Sequence, residues 1–107
     1  MYLTVAQTPV FQKHAARVWS DEELDLFVNW IALNPLAGDV IPGSGGIRKV
    51  RWSASGRGKR GGARVIYFNV MEQGTIWLLT VYAKAKFDNL PLSLLKELKN
   101  EIEEENG

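Results

Sequence analysis

Cysteine is absent from this chain of 107 residues. Its absence excludes a disulfide frame, a thiolate nucleophile and a thiolate metal centre, and it fits a reducing compartment, so a cytoplasmic location is expected. Histidine occurs once, at His14, among apolar residues of an expected helix, where a structural role outweighs a catalytic one. No set of histidines and carboxylates has ligand spacing, so no metal and no cofactor is expected. Asp39 and Asp88 stand alone, which leaves a carboxylate dyad without support, and Ser53 and Ser55 have only cations nearby to serve as a base. No stretch approaches the roughly 18 to 20 apolar residues needed to span a bilayer, and the N-terminus lacks a charged segment followed by a long apolar run. No membrane partner is therefore expected.

One further absence is local. No acidic residue lies between Asp39 and Glu72, while Arg48, Lys49, Arg51, Arg57, Lys59, Arg60 and Arg64 all fall in that interval. The formal net charge of +1 hides this segregation, because acidic residues gather at Asp21 to Asp25 and at Glu97 to Glu105. Like charges repel, so a fold that concentrates them on one hairpin is expected to meet an anionic partner such as RNA phosphate. With 46% hydrophobic and 23% charged residues the chain lies outside the disordered regime, and its length suits one domain over residues 1–107.

Tyr2 to Ala6 reads as a first strand. Thr8 followed by Pro9 predicts a helix start, and Phe11, His14, Ala15 and Val18 continue that helix. Ser20 with Glu23 forms a capping box before Leu24, Phe27, Val28 and Ile31, which recur on one helical face until Asn34-Pro35 stops it. Leu36 to Gly46 holds too many glycines and prolines for regular structure and reads as a loop. Ile47 to Trp52, Ala63 to Val70 and Thr75 to Lys84 then read as a three-stranded antiparallel meander, joined by the basic loop and by a tight turn at Glu72-Gln73-Gly74. Alternation in the last strand predicts Trp77, Leu79, Val81 and Ala83 against helices, with Ile76, Leu78, Thr80, Tyr82 and Lys84 turned away. A final helix from about Pro91 presents Leu94, Leu95, Leu98 and Ile102. The expected class is α+β.

The string Gly56-Arg57-Gly58-Lys59-Arg60-Gly61 matches GxGxxG, but a strand follows where a dinucleotide fingerprint needs a helix. The chemistry left to this region belongs to lysine and arginine. Cleavage of RNA through its own 2′-hydroxyl needs removal of a proton, neutralisation of the phosphorane and a proton for the 5′-oxygen. Cations supply the last two directly, and a lysine crowded by other cations is pushed toward its neutral form, which allows the first. Lys59 and Lys84 are the lysines so placed, Arg64 is the expected phosphate clamp, and Tyr82 or Trp52 the expected base-stacking ring. Trp19, Trp30 and Trp77 fall on apolar patterns and read as core.

The strings NPLAGDVIPGSGGIRKVRW, GRGKRGGARVIYF and LLTVYAKAKFDNL, in this order, resemble the RelE/ParE superfamily of type II toxin–antitoxin toxins, and within it the HigB branch. The resemblance implies a RelE-like fold and a ribosome-dependent, metal-independent mRNA endoribonuclease, or mRNA interferase, that inhibits translation. It implies catalytic roles for Lys59, Arg60, Arg64 and Lys84, while the charge and ring chemistry of the hairpin and its neighbours makes Arg48, Lys49, Arg51, Arg57, Tyr82 and Lys86 the expected RNA-binding residues. RelE carries an arginine where Lys84 stands, and its C-terminal tyrosine has apolar Leu90 as nearest match. Implied partners are a HigA-like helix-turn-helix antitoxin, the ribosome and mRNA, with operator DNA reached only through the antitoxin complex. A ParE-like gyrase-inhibiting toxin and a non-catalytic RNA-binding module are the alternatives.

Overall fold

Two capping signals set the N-terminal half. The computed structural model describes residues 3–54, 62–83 and 91–106. After β1 (Thr4–Gln7), Thr8 Oγ1 accepts the Phe11 N–H at 3.0 Å and Pro9 opens α1 (Pro9–Val18). Ser20 and Glu23 form the expected reciprocal cap, with bonds of 3.0 and 3.2 Å, and α2 (Asp21–Leu33) stops before Asn34-Pro35. The chain continues through β2 (Asp39–Val40), β3 (Arg48–Trp52), β4 (Ala63–Val70), β5 (Thr75–Ala83) and α3 (Leu92–Asn106).

The sheet has the order β1-β5-β4-β3-β2. β3, β4 and β5 form the expected antiparallel meander, and β1 adds to β5 in parallel. The glycine-rich stretch after Leu36 is not loop throughout. Asp39 and Val40 pair with Lys49 and Arg48 as a short edge strand, because two residues free of proline and glycine suffice once a partner strand offers its backbone groups. The turn after β4 is closed by bonds from Gln73 N–H to Val70 and from Gly74 N–H to Met71, with Gly74 at φ 65°.

The faces of β5 differ from simple alternation. Tyr67 pairs with Leu78 and Ile66 with Thr80, which leaves Leu79 as an extra residue on β5. Such a bulge reverses the parity of every residue beyond it. Ile76, Leu78 and Val81 therefore share one core with Phe11, Ala15, Trp19, Phe27 and Ile31 of the N-terminal half. On the opposite face Leu79 and Tyr82 pack with Ile47, Ile66 and Phe68 under Leu95, Leu98 and Ile102 of α3. The expectation that Leu79 and Val81 share a helix-facing side is corrected on two counts: the bulge separates them, and helices cover both faces.

Tyr67 holds the crossing from α2 to the sheet. Its ring is fully buried, its Oη accepts the Gly38 N–H at 2.9 Å, and it donates to the Pro35 carbonyl at 3.0 Å. Asn69 Nδ2 reaches the same carbonyl at 2.9 Å. Burial pushes the Tyr67 phenol above its ordinary range, opposed by the Gly38 bond and by Arg48 and reinforced by Asp39. Its neutral form is thus the one the fold retains, so this contribution is complete below the ordinary tyrosine pKa of about 10 and is lost as pH rises through the raised folded value. Tyr67→Phe is expected to lower unfolding free energy by about 1–3 kcal/mol in denaturant titration, because it leaves the buried Gly38 N–H without its acceptor.

Candidate nucleic-acid interface

Strand register brings together side chains that are distant in sequence. Arg51 on β3 lies directly opposite Arg64 on β4, and Arg64 lies opposite Tyr82 on β5, so the three form one row across the sheet. Val50, Val65 and Val81, one position away on each strand, belong to the core beneath α1 and α2, which places the Arg51–Arg64–Tyr82 row on the α3 face. Lys49, two residues before Arg51, shares that face. Along β3 and β4 the face is apolar at Ile47, Ile66 and Phe68, where α3 covers it, and cationic at Arg51 and Arg64.

The next row consists of Trp52, Ala63 and Ala83. In sequence, residues 55–61 fall between the first two, and Lys84 follows the third. Lys59, Arg60 and Lys84 of the expected catalytic set, with Arg57 and Lys86, lie outside the described residues. Their chain attachments nonetheless fall at the same end of the sheet as the arginine row.

Within the described part of the set, exposure separates the roles. Arg51 is exposed and Arg64 is half-buried, with its Nη1 donating to the Gly62 carbonyl at 3.1 Å, a bond that orients the guanidinium near the start of β4. Arg48 does not join the row. It points to the other face and donates to the Gly38 carbonyl at 2.6 Å, so its charge fastens the loop that Tyr67 also holds. Tyr82 has the expected address but only 6% exposure, since its ring packs under α3, which keeps it from being an open stacking platform. Trp52 is corrected as a stacking candidate: its ring lies 5.5 Å from Trp19 and 5.3 Å from Phe27 within the aromatic core. His14 Nδ1 lies 2.8 Å from Thr80 Oγ1.

Sequence reasoning placed Arg51 and Arg64 in separate groups and missed that they face each other. A ten-residue connection leaves strand register open, so no sequence signal reported that pairing. Among the described residues no group of three or more His, Asp or Glu could hold a metal, and no helix is long and apolar enough to cross a membrane.

The architecture is the α+β fold of RelE-like proteins. No protein-family model matches the chain. Two solved structures show the likeness. The E. coli toxin RelE, in a double-mutant form in the free state, aligns with a TM-score of 0.63 at 14% identity, covering 92% of this chain and 98% of that one. A chain of the Mycobacterium tuberculosis toxin–antitoxin complex RelBE2 aligns with a TM-score of 0.57 at 19% identity, covering 78% of this chain and 99% of that one.

Arg51→Gln is expected to weaken RNA binding in fluorescence anisotropy and to make the log–log salt slope shallower by about 0.7, with circular dichroism unchanged.

Proposed function

We propose that residues 1–107 form one toxin domain of a type II toxin–antitoxin system, an mRNA interferase of the HigB kind that cleaves messenger RNA on the ribosome without a catalytic metal. The observation that carries this reading is the Arg51–Arg64 row on a RelE-like sheet, with the attachments of two further basic segments at its end. Two arginines at facing strand positions suit an anion that meets both. The RelE and RelBE2 likenesses support the toxin class and an antitoxin partner, here taken as a HigA-like helix-turn-helix protein.

The chemistry assigned to the site is transfer of the phosphoryl group from the 5′-oxygen to the neighbouring 2′-oxygen. The 2′-oxygen–phosphorus bond forms, the phosphorus–5′-oxygen bond breaks, and the products carry a 2′,3′-cyclic phosphate and a 5′-hydroxyl. Arg64, oriented from a strand, clamps the non-bridging oxygens as charge builds on them. Arg51 and Lys49 draw in the flanking phosphates, which raises local substrate concentration without entering the reaction. Lys59, Arg60 and Lys84 are assigned the proton transfers and the remaining phosphate contact, with crowding among cations favouring a neutral lysine as base.

Expression of the chain is expected to arrest growth, with new mRNA 5′ ends in phase with codons. Arg64→Ala is expected to reduce cleavage on isolated ribosomes by about 10²–10³-fold with circular dichroism unchanged. Growth arrest without codon-phased ends, accompanied by cleaved DNA–gyrase complexes, would identify a gyrase poison instead.

A further inference from the structure

A second cationic feature lies away from the arginine row, in the loop that leads into β3. Three of its glycines adopt positive φ, Gly43 at 75°, Gly45 at 76° and Gly46 at 104°, while Ser44 between them does not. The loop is held from inside. Ser44 is 3% exposed, its Oγ meets the carbonyls of Ile41 and Ile47 at 2.6 and 3.3 Å, and it accepts the Ile47 N–H at 3.0 Å. The Ser44 N–H returns to the Ile41 carbonyl at 3.2 Å. The amides of Gly43, Gly45 and Gly46 have no acceptor among the described residues.

Backbone N–H groups in loops with left-handed residues are a recurrent source of anion-binding donors. Opposite the loop stands α3, and between them is a cleft of about 260 Å³ lined by Gly43, Ser44, Gly45, Lys96, Lys99 and Asn100. Lys99 Nζ donates to the Gly45 carbonyl at 2.8 Å, which fixes its ammonium at the cleft wall. Glu103 approaches that ammonium on one side at 3.8 Å, and the Phe68 ring lies 5.6 Å from it. Lys96 is exposed and makes no ion pair or hydrogen bond among the described residues. The cleft thus combines one anchored ammonium, one uncommitted ammonium and a side-chain amide with a wall whose Gly43 and Gly45 amides have no acceptor among the described residues.

We propose that this cleft is a phosphate site, occupied by a backbone phosphate of RNA at a distance from the scissile position. The assignment of RNA rests on the interferase reading; the preference for phosphate rests on the cleft alone. The geometry also explains the glycines. A Cβ at Gly45 would lie 2.9 Å from Lys99 Nζ, and positive φ at Gly45 and Gly46 disfavours any other residue. The site gives the sheet a second anchor on the polyanion, one that orients RNA without taking part in bond breaking.

The test uses the purified full chain and its Lys96→Gln and Lys96→Gln/Lys99→Gln variants. Inorganic phosphate titrated into ¹⁵N-labelled protein is expected to shift the Gly45 and Gly46 amides saturably, at constant ionic strength set with chloride. The single variant, which removes no contact of the fold, is expected to weaken that response, and the double variant to abolish it while amides of β4 and β5 stay in place. With single-stranded RNA, losing this one phosphate contact is expected to make the slope of log affinity against log salt shallower by about 0.7. Glycine amides that ignore phosphate, or that respond equally in Lys96→Gln and the double variant, overturn the site. An unchanged RNA salt slope in a double variant that has lost its phosphate response overturns the assignment of RNA. Because the phosphate arm involves no cleavage, a chain that binds phosphate here yet leaves ribosome-bound mRNA intact refutes the interferase and leaves the phosphate site standing.

Discussion

The extra residue at Leu79 governs both faces of the sheet. Up to Leu78 the even positions of β5 enter the core under α1 and α2; beyond it the odd positions do, as Val81 shows. Without that reversal Tyr82 would turn toward α1 and α2, and its place beside Arg64 on the α3 face would pass to a different residue. The bulge therefore reconciles two requirements that a regular strand could not meet together: an apolar run long enough to be buried on both faces and a boundary row aligned with the arginines. Buried Val65 and Ile66 on adjacent positions of β4 show the same double coverage from the neighbouring strand.

The second governing feature is the placement of charge. Strand register sets Arg51 and Arg64 at facing positions of β3 and β4. Elsewhere the chain uses its cations to hold itself together. Arg48 donates to a loop carbonyl, and Lys99 both caps the glycine loop and approaches Glu103. Arg48 and Lys99 thus commit donors to loop carbonyls, and Arg64 one to Gly62, while Arg51 stays exposed on the α3 face. Folding stability and phosphate recognition thus draw on the same residue types in different surroundings, and neither composition nor net charge distinguishes them.

The covering of the α3 face has its own consequence. Ile47, Phe68 and Leu79 are shielded by Leu95, Leu98 and Ile102, so the apolar part of that face is closed and the cationic part adjoins solvent. The proposed phosphate cleft lies where α3 meets the loop before β3, which makes docking of this helix a structural condition for both features.

Local signals were legible wherever chemistry acts within a few residues. The caps at Thr8 and Ser20, the stop at Asn34-Pro35, the three central strands and the apolar spacing of α3 could all be read from the chain, because capping, proline geometry and helical periodicity are short-range effects. Concentration of charge between Asp39 and Glu72 likewise pointed to a polyanion before any strand was placed. What only tertiary structure decided were relations between segments. The bulge at Leu79, the edge pairing of Asp39 and Val40, the alignment of Arg51 with Arg64, and the withdrawal of Arg48, Trp52 and the Tyr82 ring into packing or internal bonds all depend on register and coverage. Those are set by the simultaneous fit of side chains from distant parts of the chain, a constraint that no local window of sequence contains.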